Sequence, residues 1–297
     1  GFGARLWVDG TCVSLAGAEP AGLARSRGIM PDMTPQTLLE HLDNGLPWPD
    51  SASLPEGADV AATYQRALAV RALRIDRGEV PRGFKIGFTN RQIWARYNVF
   101  APIWGTVWDT TLAFCDGSGT VSIDRTCQPR LEPETVFGMK ATPAAHATLD
   151  DLFDALDWVA PGFEVVQSHR PDWKFTAAET VADGALHARL VVGARVPVAA
   201  LAPNAPELDR LLAQARVRLM RGNDVVEQGS GEQVLDSPLR ALHHFVQALR
   251  SCPGAPDLVP KDVVTTGTWT DAWPIQAGET WTAAFTPPLS SLRLTVR

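Results

Sequence analysis

The stretch Arg130-Leu131-Glu132-Pro133-Glu134-Thr135-Val136-Phe137 is the most informative part of the chain. Its β-branched and aromatic residues predict a strand. Because alternate residues of a strand share a face, Glu132 and Glu134 would project together, while their neighbours point away. Adjacent carboxylates repel each other unless positive charge lies between them, and a divalent cation would supply it. Pro133 cannot donate a backbone hydrogen bond, which predicts a sheet edge or an irregular strand end at this point.

A third acid, Glu164, lies in the apolar run Phe163-Glu164-Val165-Val166. An ionised glutamate in such a run either points to solvent or coordinates something. A site of oxygen ligands favours Mg²⁺ or Mn²⁺ over zinc. The alternative is that Glu132, Glu134 and Glu164 are solvated surface charges, since Glu-x-Glu alone is a weak signal.

Helices are predicted mainly at the start of the chain, and short strands separated by turn residues dominate from Gly83 onward. The predicted helices begin at Thr34-Pro35, span about 59–77, and recur near 149–159 and 237–250. The predicted strands lie at 84–88, 120–123, 131–137, 163–166, 186–192, 217–220, 263–266, 281–285 and 292–296. This order is not regular βαβ alternation. The sequence therefore predicts an α+β fold, with a helical N-terminal segment at residues 1–80 and a β-rich catalytic domain at 81–297 forming one compact unit.

Composition excludes several classes of function. The 297 residues carry a formal net charge of −6 with scattered basic side chains, so neither nucleic acid nor a membrane is an expected partner. No apolar run reaches the roughly 18 residues of a membrane span, and the N-terminal residues lack the apolar core of a signal peptide. The four cysteines have no metal-ligand spacing, so a reducing, cytoplasmic location without disulfides is expected.

Eight short segments follow one another in a fixed order between about residue 60 and residue 297. They are GFKIGFT (83–89), APIWG (101–105), LEPE (131–134), FEVVQS (163–168), WKF (173–175), VADG (181–184), LDSPL (235–239) and TTGT (265–268). Together they resemble the fumarylacetoacetate hydrolase superfamily, and within it the branch of 2-keto-4-pentenoate hydratases and 4-oxalocrotonate decarboxylases. An ordered set of this kind is far more specific than any single motif.

The resemblance implies a β-rich fold in which Glu132, Glu134 and Glu164 hold Mg²⁺ or Mn²⁺. It implies a lyase of aromatic ring-cleavage catabolism that decarboxylates or hydrates a small 2-oxo or 2-hydroxy-dienoic acid. Both reactions push electrons onto the substrate's 2-oxo oxygen, where a metal stabilises the charge. The resemblance also implies a homo-oligomer and association with a partner enzyme of the same pathway.

Further site residues are assigned on the same resemblance. Lys85 matches the family's lysine near the substrate, where it could bind a carboxylate or transfer a proton; the alternative is a strand lysine that extends to solvent. Lys174 is a second catalytic candidate. The candidate substrate-binding residues are Thr266, Gly267 and Thr268 in a turn, the aromatic Trp104, and His169 after the third ligand strand.

Departures from the family pattern bear on the reaction. Ile103 occupies a position where hydratases of this branch usually carry aspartate, which favours decarboxylation over hydration. Gln167 and His169 replace an aspartate and an arginine, so the distal end of the substrate is expected to differ from the usual dicarboxylates. Hydrolysis of an acylpyruvate is an alternative for which no general base is evident. A catalytically silent relative that acts as a binding subunit is another.

Overall fold

The computed structural model describes residues 32–55 and 58–297. In these ranges the helices are α1 (Pro35–Asn44), α2 (Val60–Asp76), α3 (Trp94–Tyr97), α4 (Leu149–Ala155), α5 (Ala177–Ala182), α6 (Val198–Leu201), α7 (Ala205–Gln214) and α8 (Pro238–Ser251). The strands are β1 (Pro81–Gly87), β2 (Ile103–Trp108), β3 (Leu112–Phe114), β4 (Ser118–Val121), β5 (Arg130–Met139), β6 (Leu156–Val166), β7 (His187–Val192), β8 (Val196–Pro197), β9 (Arg216–Arg221), β10 (Asp224–Ser230), β11 (Val263–Thr268), β12 (Trp273–Pro274), β13 (Thr280–Phe285) and β14 (Leu292–Val296). No helix within these ranges has the length and apolar character needed to cross a membrane.

The described strands form two mixed sheets. The larger has the order β2-β1-β11-β5-β6-β7-β3, with β12 beside β5 and β8 beside β6, and the smaller has the order β10-β9-β13-β14-β4. The pairs β1–β11, β3–β7 and β4–β14 are parallel and the others antiparallel. Helix α8 packs on β1, β2 and β11, and the smaller sheet meets the larger one where β14 contacts β6 and β4 contacts β7. The predicted α+β class is confirmed.

Strand β5 lies inside the larger sheet, which contradicts the sheet-edge location predicted from Pro133. It pairs with β6 on one side and with β11 on the other. The carbonyl of Pro133 accepts a hydrogen bond from Trp269 N–H (3.0 Å), and the missing N–H faces the same side of the strand. On that side the register of β11 shifts between Thr265 and Thr268. A proline is tolerated here because the ladder is already irregular, and local irregularity was the other part of the prediction.

The helix predicted at residues 149–159 is shorter than expected. Thr148 starts α4 with a capping box to Asp151, but the helix ends at Ala155, and Leu156 begins β6. Residues 156–166 run beside β5 along most of that strand. Pairing with a long neighbour outweighs helix propensity, which is a weak local preference. Helices α3, α5, α6 and α7 were not predicted.

The N-terminal helices cover one side of the β-rich part of the chain. Thr34 caps α1, as its Thr-Pro signal predicted, and Asp59 caps α2. Helix α1 packs on α2, and α2 packs on α5. The Tyr64 hydroxyl of α2 accepts a hydrogen bond from the Trp104 N–H of β2 (3.0 Å). Residues 1–31 of the predicted N-terminal segment lie outside the described residues.

Candidate active site

Three glutamates from neighbouring strands of the larger sheet converge. Glu132 and Glu164 are direct partners across β5 and β6, and Glu134 is two residues farther along β5, so the three side chains share one face. One carboxylate oxygen of each lies within 4.8 Å of those of the other two. Glu134 and Glu164 are fully buried, and Glu132 is partly exposed. The fold therefore brings together the acids that the sequence grouped as one site.

When its acids are ionised, this cluster carries more negative than positive charge. Burial raises the pKa of each of the carboxyls to about 8, and repulsion by neighbouring carboxylates adds to the effect, although Lys85 opposes it. Three ionised carboxylates and the single ammonium of Lys85 leave two negative charges uncompensated, which a divalent cation would balance. Within the described residues, the buried Glu134 Oε1 has no hydrogen-bond partner. A buried oxygen without a partner, in an all-oxygen donor set, fits Mg²⁺ or another hard divalent cation.

Lys85, in β1, extends toward the carboxylates rather than to solvent. Its side chain is buried, and Nζ donates to the Ala185 carbonyl (2.8 Å) and lies 3.3 Å from Glu164 Oε2. Burial alone would lower the pKa of Lys85, but attraction to Glu164, Glu132 and Glu134 outweighs this effect and raises the pKa. The alternative of a solvated strand lysine is therefore wrong, and the site holds a fixed ammonium.

The irregular part of β11 orients Glu134. Thr265 Oγ1 and the Gly267 N–H (2.9 Å) both donate to Glu134 Oε2. Gly267 has a φ of +107°, and a Cβ at this position would lie 2.1 Å from Thr89 Oγ1, so only glycine fits. Gly267 was predicted to bind the substrate, whereas in the structure its N–H holds the side-chain carboxylate of Glu134.

The two threonines beside Gly267 are placed differently from each other. The Thr266 hydroxyl donates to the Thr135 carbonyl (2.9 Å), so this side chain is used within the sheet. Thr268 lines the cavity described below, and its hydroxyl donates to the Thr270 carbonyl (2.9 Å). Of this predicted turn, Gly267 and Thr268 therefore lie at the cavity and Thr266 does not.

His187, at the start of β7, contacts the third glutamate. Its Nδ1 lies 2.8 Å from Glu164 Oε1, and its Nε2 lies 2.8 Å from Thr111 Oγ1. Burial, together with the nearby charge of Lys85, lowers the pKa of His187 well below its ordinary value. Sequence reasoning missed this residue because histidines were searched for metal-ligand spacing. A histidine within the apolar strand that follows the VADG motif was the available signal.

A cavity of about 450 Å³ opens in front of Lys85 and Glu132. This volume is within the range of small-molecule sites. The Arg130 guanidinium stacks on the Trp173 ring at 4.2 Å, placing a cation on the cavity wall. The aromatic, apolar and cationic residues of the lining include Phe88, Tyr97, Trp173, Phe175, Trp269, Ile103, Arg96 and Arg130. The cavity therefore offers flat apolar surfaces and positive charge to an anionic, unsaturated ligand.

Three predicted site residues lie elsewhere, since none of Lys174, His169 and Trp104 is among the described residues that line this cavity. The Lys174 side chain is 81% exposed, with Nζ 3.5 Å from Asp172, so it cannot act at the buried cluster. His169 is buried against Asp183, with Nδ1 2.6 Å from the carboxylate. Trp104 stacks on Tyr64 at 4.6 Å within the core.

The departures from the family pattern also separate in space. Gln167 accepts a hydrogen bond from Cys127 N–H (3.1 Å) and donates to the His187 carbonyl (3.3 Å), so it braces the backbone beside the site. Neither Gln167 nor His169 is among the described lining residues, and the change at these positions does not alter the cavity wall directly. Ile103, in contrast, lies on that wall.

Comparisons with known proteins give consistent relatives. The chain is 30% identical over 188 residues to a 4-oxalocrotonate decarboxylase of a Pseudomonas species, covering 62% of this chain and 69% of the relative. It is 31% identical over 199 residues to 2-keto-4-pentenoate hydratase 2 of Dechloromonas aromatica, covering 66% and 71%. The solved 4-oxalocrotonate decarboxylase of Pseudomonas putida G7, complexed with magnesium and adipate, superposes with a TM-score of 0.76 at 25% identity, covering 89% of this chain and 97% of that one. No model of a known protein family matches the chain.

Proposed function

We propose a reaction for this chain on the premise that it belongs to the 4-oxalocrotonate decarboxylase and 2-keto-4-pentenoate hydratase branch of the fumarylacetoacetate hydrolase superfamily. It is a divalent-metal-dependent lyase of a small 2-oxo or 2-hydroxy-dienoic acid. The proposed reaction is decarboxylation of a small unsaturated 2-oxo diacid, with Glu132, Glu134 and Glu164 as metal ligands. The convergence of these carboxylates on the ammonium of Lys85 is the observation that carries the proposal.

The chemistry requires stabilisation of negative charge at one oxygen. When CO₂ leaves such a diacid, the electron pair of the broken C–C bond moves through the conjugated system to the 2-oxo oxygen. A divalent cation held by the three carboxylates would supply Lewis-acid stabilisation of that charge. Lys85 adds a fixed positive charge beside the same position, already oriented by the Ala185 carbonyl and Glu164. Because the ammonium is buried, its attraction for a substrate anion is weakly screened.

Decarboxylation is favoured over hydration by the composition of the cavity wall. Adding water to an alkene needs a group that activates the water. Ile103 presents an apolar surface where hydratases of this branch usually carry aspartate, and Glu227, which lines the wall together with Glu132 and Asp271, already accepts hydrogen bonds from Trp273 Nε1 (2.6 Å) and Asp271 N–H (3.1 Å). We propose that Arg96 and Arg130 bind a carboxylate of the substrate, either the one that is lost as CO₂ or the one at the far end of the molecule. Acylpyruvate hydrolysis and a silent binding role are not favoured, since the named relatives are lyases.

The metal is proposed to be Mg²⁺ or Mn²⁺. The oxygen-only donor set supports a hard cation, and a solved relative binds magnesium. A homo-oligomer, a partner enzyme of the same pathway and a cytoplasmic location are proposed from the family resemblance. The free thiols of Cys115, Cys127 and Cys252 are compatible with a reducing compartment.

The reaction can be tested with chelator-treated protein reloaded with Mg²⁺ or Mn²⁺ and given 4-oxalocrotonate in ¹⁸O-labelled water. We expect metal-dependent release of CO₂ with no ¹⁸O bonded to the former alkene carbons. The Glu132→Ala variant, which loses a ligand, provides the metal-free background. Incorporation of ¹⁸O at a former alkene carbon without CO₂ release would establish hydration instead. Absence of Mg²⁺ and Mn²⁺ binding by calorimetry, with and without oxalate as a mimic of the substrate's chelating end, would refute the metal site.

A further inference from the structure

His187 is connected to the proposed metal site through a chain of hydrogen bonds between strands. It lies in β7, whose pairing with β6 shifts register between Val165 and Val166, so that Val166 faces His187. Such a bulge redirects the side chain that precedes it. Here it places the imidazole on the same side of the sheet as Glu164, and Nδ1 approaches Glu164 Oε1 to 2.8 Å.

The other nitrogen of the His187 ring, Nε2, also has a hydrogen-bond partner. His187 Nε2 lies 2.8 Å from Thr111 Oγ1, and that hydroxyl also accepts a hydrogen bond from the Trp108 N–H (3.1 Å). An ionised Glu164 carboxylate can only accept a hydrogen bond, so the single ring proton of the neutral imidazole lies on Nδ1 and is donated to it. Nε2 is then an acceptor for the Thr111 hydroxyl, which also lies 3.2 Å from the Trp108 carbonyl. His187 and Thr111 are both buried, so water does not compete for these bonds.

The consequence for Glu164 is a fixed orientation. With Oε1 engaged by His187, the remaining oxygen, Oε2, forms an ion pair with Lys85 Nζ at 3.3 Å and makes no hydrogen bond within the described residues. A carboxylate free to rotate would exchange its two oxygens, whereas this one presents Oε2 alone to the other acids.

We propose that His187, supported by Thr111, is a positioning residue that orients Glu164 as a ligand of the catalytic cation; this inference rests on the proposed metal site. Neither side chain is a ligand itself. Partners of this kind fix the geometry of a ligand and are worth about 10- to 100-fold in metal affinity. The role therefore concerns metal binding before any substrate is present.

The test compares Mn²⁺ affinity, by electron paramagnetic resonance of free Mn²⁺, among wild type, His187→Leu, His187→Asn and Thr111→Val. We expect His187→Leu to weaken Mn²⁺ binding by about 10- to 100-fold. His187→Asn keeps an N–H close to the Nδ1 position and should recover most of the affinity. Thr111→Val keeps the ring but removes its support, so it should cause a smaller loss in the same direction.

Two controls separate orientation from general stability. His243 is a partly buried histidine outside the site that bonds to the Ala147 carbonyl (3.0 Å), and His243→Leu should lower Tm without changing the Mn²⁺ affinity. The spectrum of bound Mn²⁺ should change in His187→Leu and return toward that of wild type in His187→Asn. If His187→Leu fails to fold, the loss of Mn²⁺ affinity expected for Thr111→Val decides the question.

The outcomes distinguish this inference from the proposed reaction. Unchanged Mn²⁺ affinity in His187→Leu, or in Thr111→Val where His187→Leu does not fold, would overturn the positioning role even if the enzyme is active. Wild-type protein that binds Mn²⁺ but releases no CO₂ would overturn the proposed reaction and leave the affinity comparison valid. Wild-type protein that binds no Mn²⁺ would overturn both.

Discussion

Replacing Glu134 by glutamine tests whether the buried carboxylates destabilise the metal-free fold and whether a bound cation removes that destabilisation. Glu134 is fully buried, and burial together with repulsion from Glu164 raises the pKa of its carboxyl to about 8. An amide keeps the shape and can still accept the hydrogen bonds from Thr265 and Gly267 N–H. Its NH₂ group would face the neighbouring carboxylates at the position of Oε1. The substitution therefore removes charge with little change in packing.

The expected magnitude follows from the pKa. The folded state binds this proton more tightly than the unfolded chain, where the pKa is 4.5, so the metal-free protein loses stability as pH rises from about 4.5 to about 8. At 1.36 kcal/mol per pKa unit, the cost at pH 8 is roughly 4 kcal/mol. Burying the amide costs about 1–3 kcal/mol, which leaves a net gain of about 1–3 kcal/mol for Glu134→Gln. In a domain of this size that gain raises Tm by about 2–10 °C.

The assay is differential scanning calorimetry at pH 8, in chelator and in millimolar Mg²⁺. In chelator, Glu134→Gln should be more stable than wild type, and in Mg²⁺ the order should reverse, because the variant binds the cation more weakly by more than about 100-fold. Glu232→Gln, at an exposed carboxylate paired with Arg216, is the matched control and should follow wild type in both conditions. A Glu134→Gln protein less stable than wild type in chelator, or a wild type indifferent to Mg²⁺, would refute this reasoning.

Other predictions concern charge, pH and the cavity wall. Lys85→Met should reduce kcat/KM by more than about 100-fold, since it removes a buried charge next to the developing anion, whereas Lys174→Met at the surface should stay near wild type in the same steady-state assay. The metal-free carboxyls have pKa values of about 8, and the cation binds their ionised forms, so Mg²⁺ affinity should rise between pH 6 and pH 8 and binding should release protons. Calorimetry in buffers of different ionisation enthalpy measures both quantities, and a pH-independent affinity would contradict this prediction. Ile103→Asp should raise the ratio of hydration to decarboxylation in the ¹⁸O assay. An unchanged ratio would show that this part of the cavity wall does not determine which reaction occurs.

Local signals in the sequence were sufficient for much of the site. Alternation along a strand put Glu132 and Glu134 on one face, and the structure agrees. Half of the described helices and most of the longer strands were also located from periodicity and capping residues. Glu164 was found through an apolar run that carries one charge, and Lys85 through its place in a motif of the family.

The errors arose where a residue's partner is distant in sequence. Pro133 was taken as a mark of a sheet edge, yet β11, more than a hundred residues away, shifts its register beside it. Lys174 adjoins a family motif but points to solvent, and His169 follows a ligand strand but turns to Asp183. Sequence proximity to a motif did not determine which way these side chains point.

The sequence by itself, through its patterns and its family resemblance, indicated the fold class, the acids of the proposed metal site and the kind of cation that they suit, because strand alternation, ligand chemistry and the order of short motifs are all readable along the chain. Only the tertiary structure decided that Glu164 lies directly across from Glu132, that Lys85 is buried among them, and that His187 holds the third carboxylate. These contacts depend on the register between β5, β6 and β7, and on the parallel pairing of β1 with β11. Register is set by packing across the whole sheet, and no segment of the chain contains it alone.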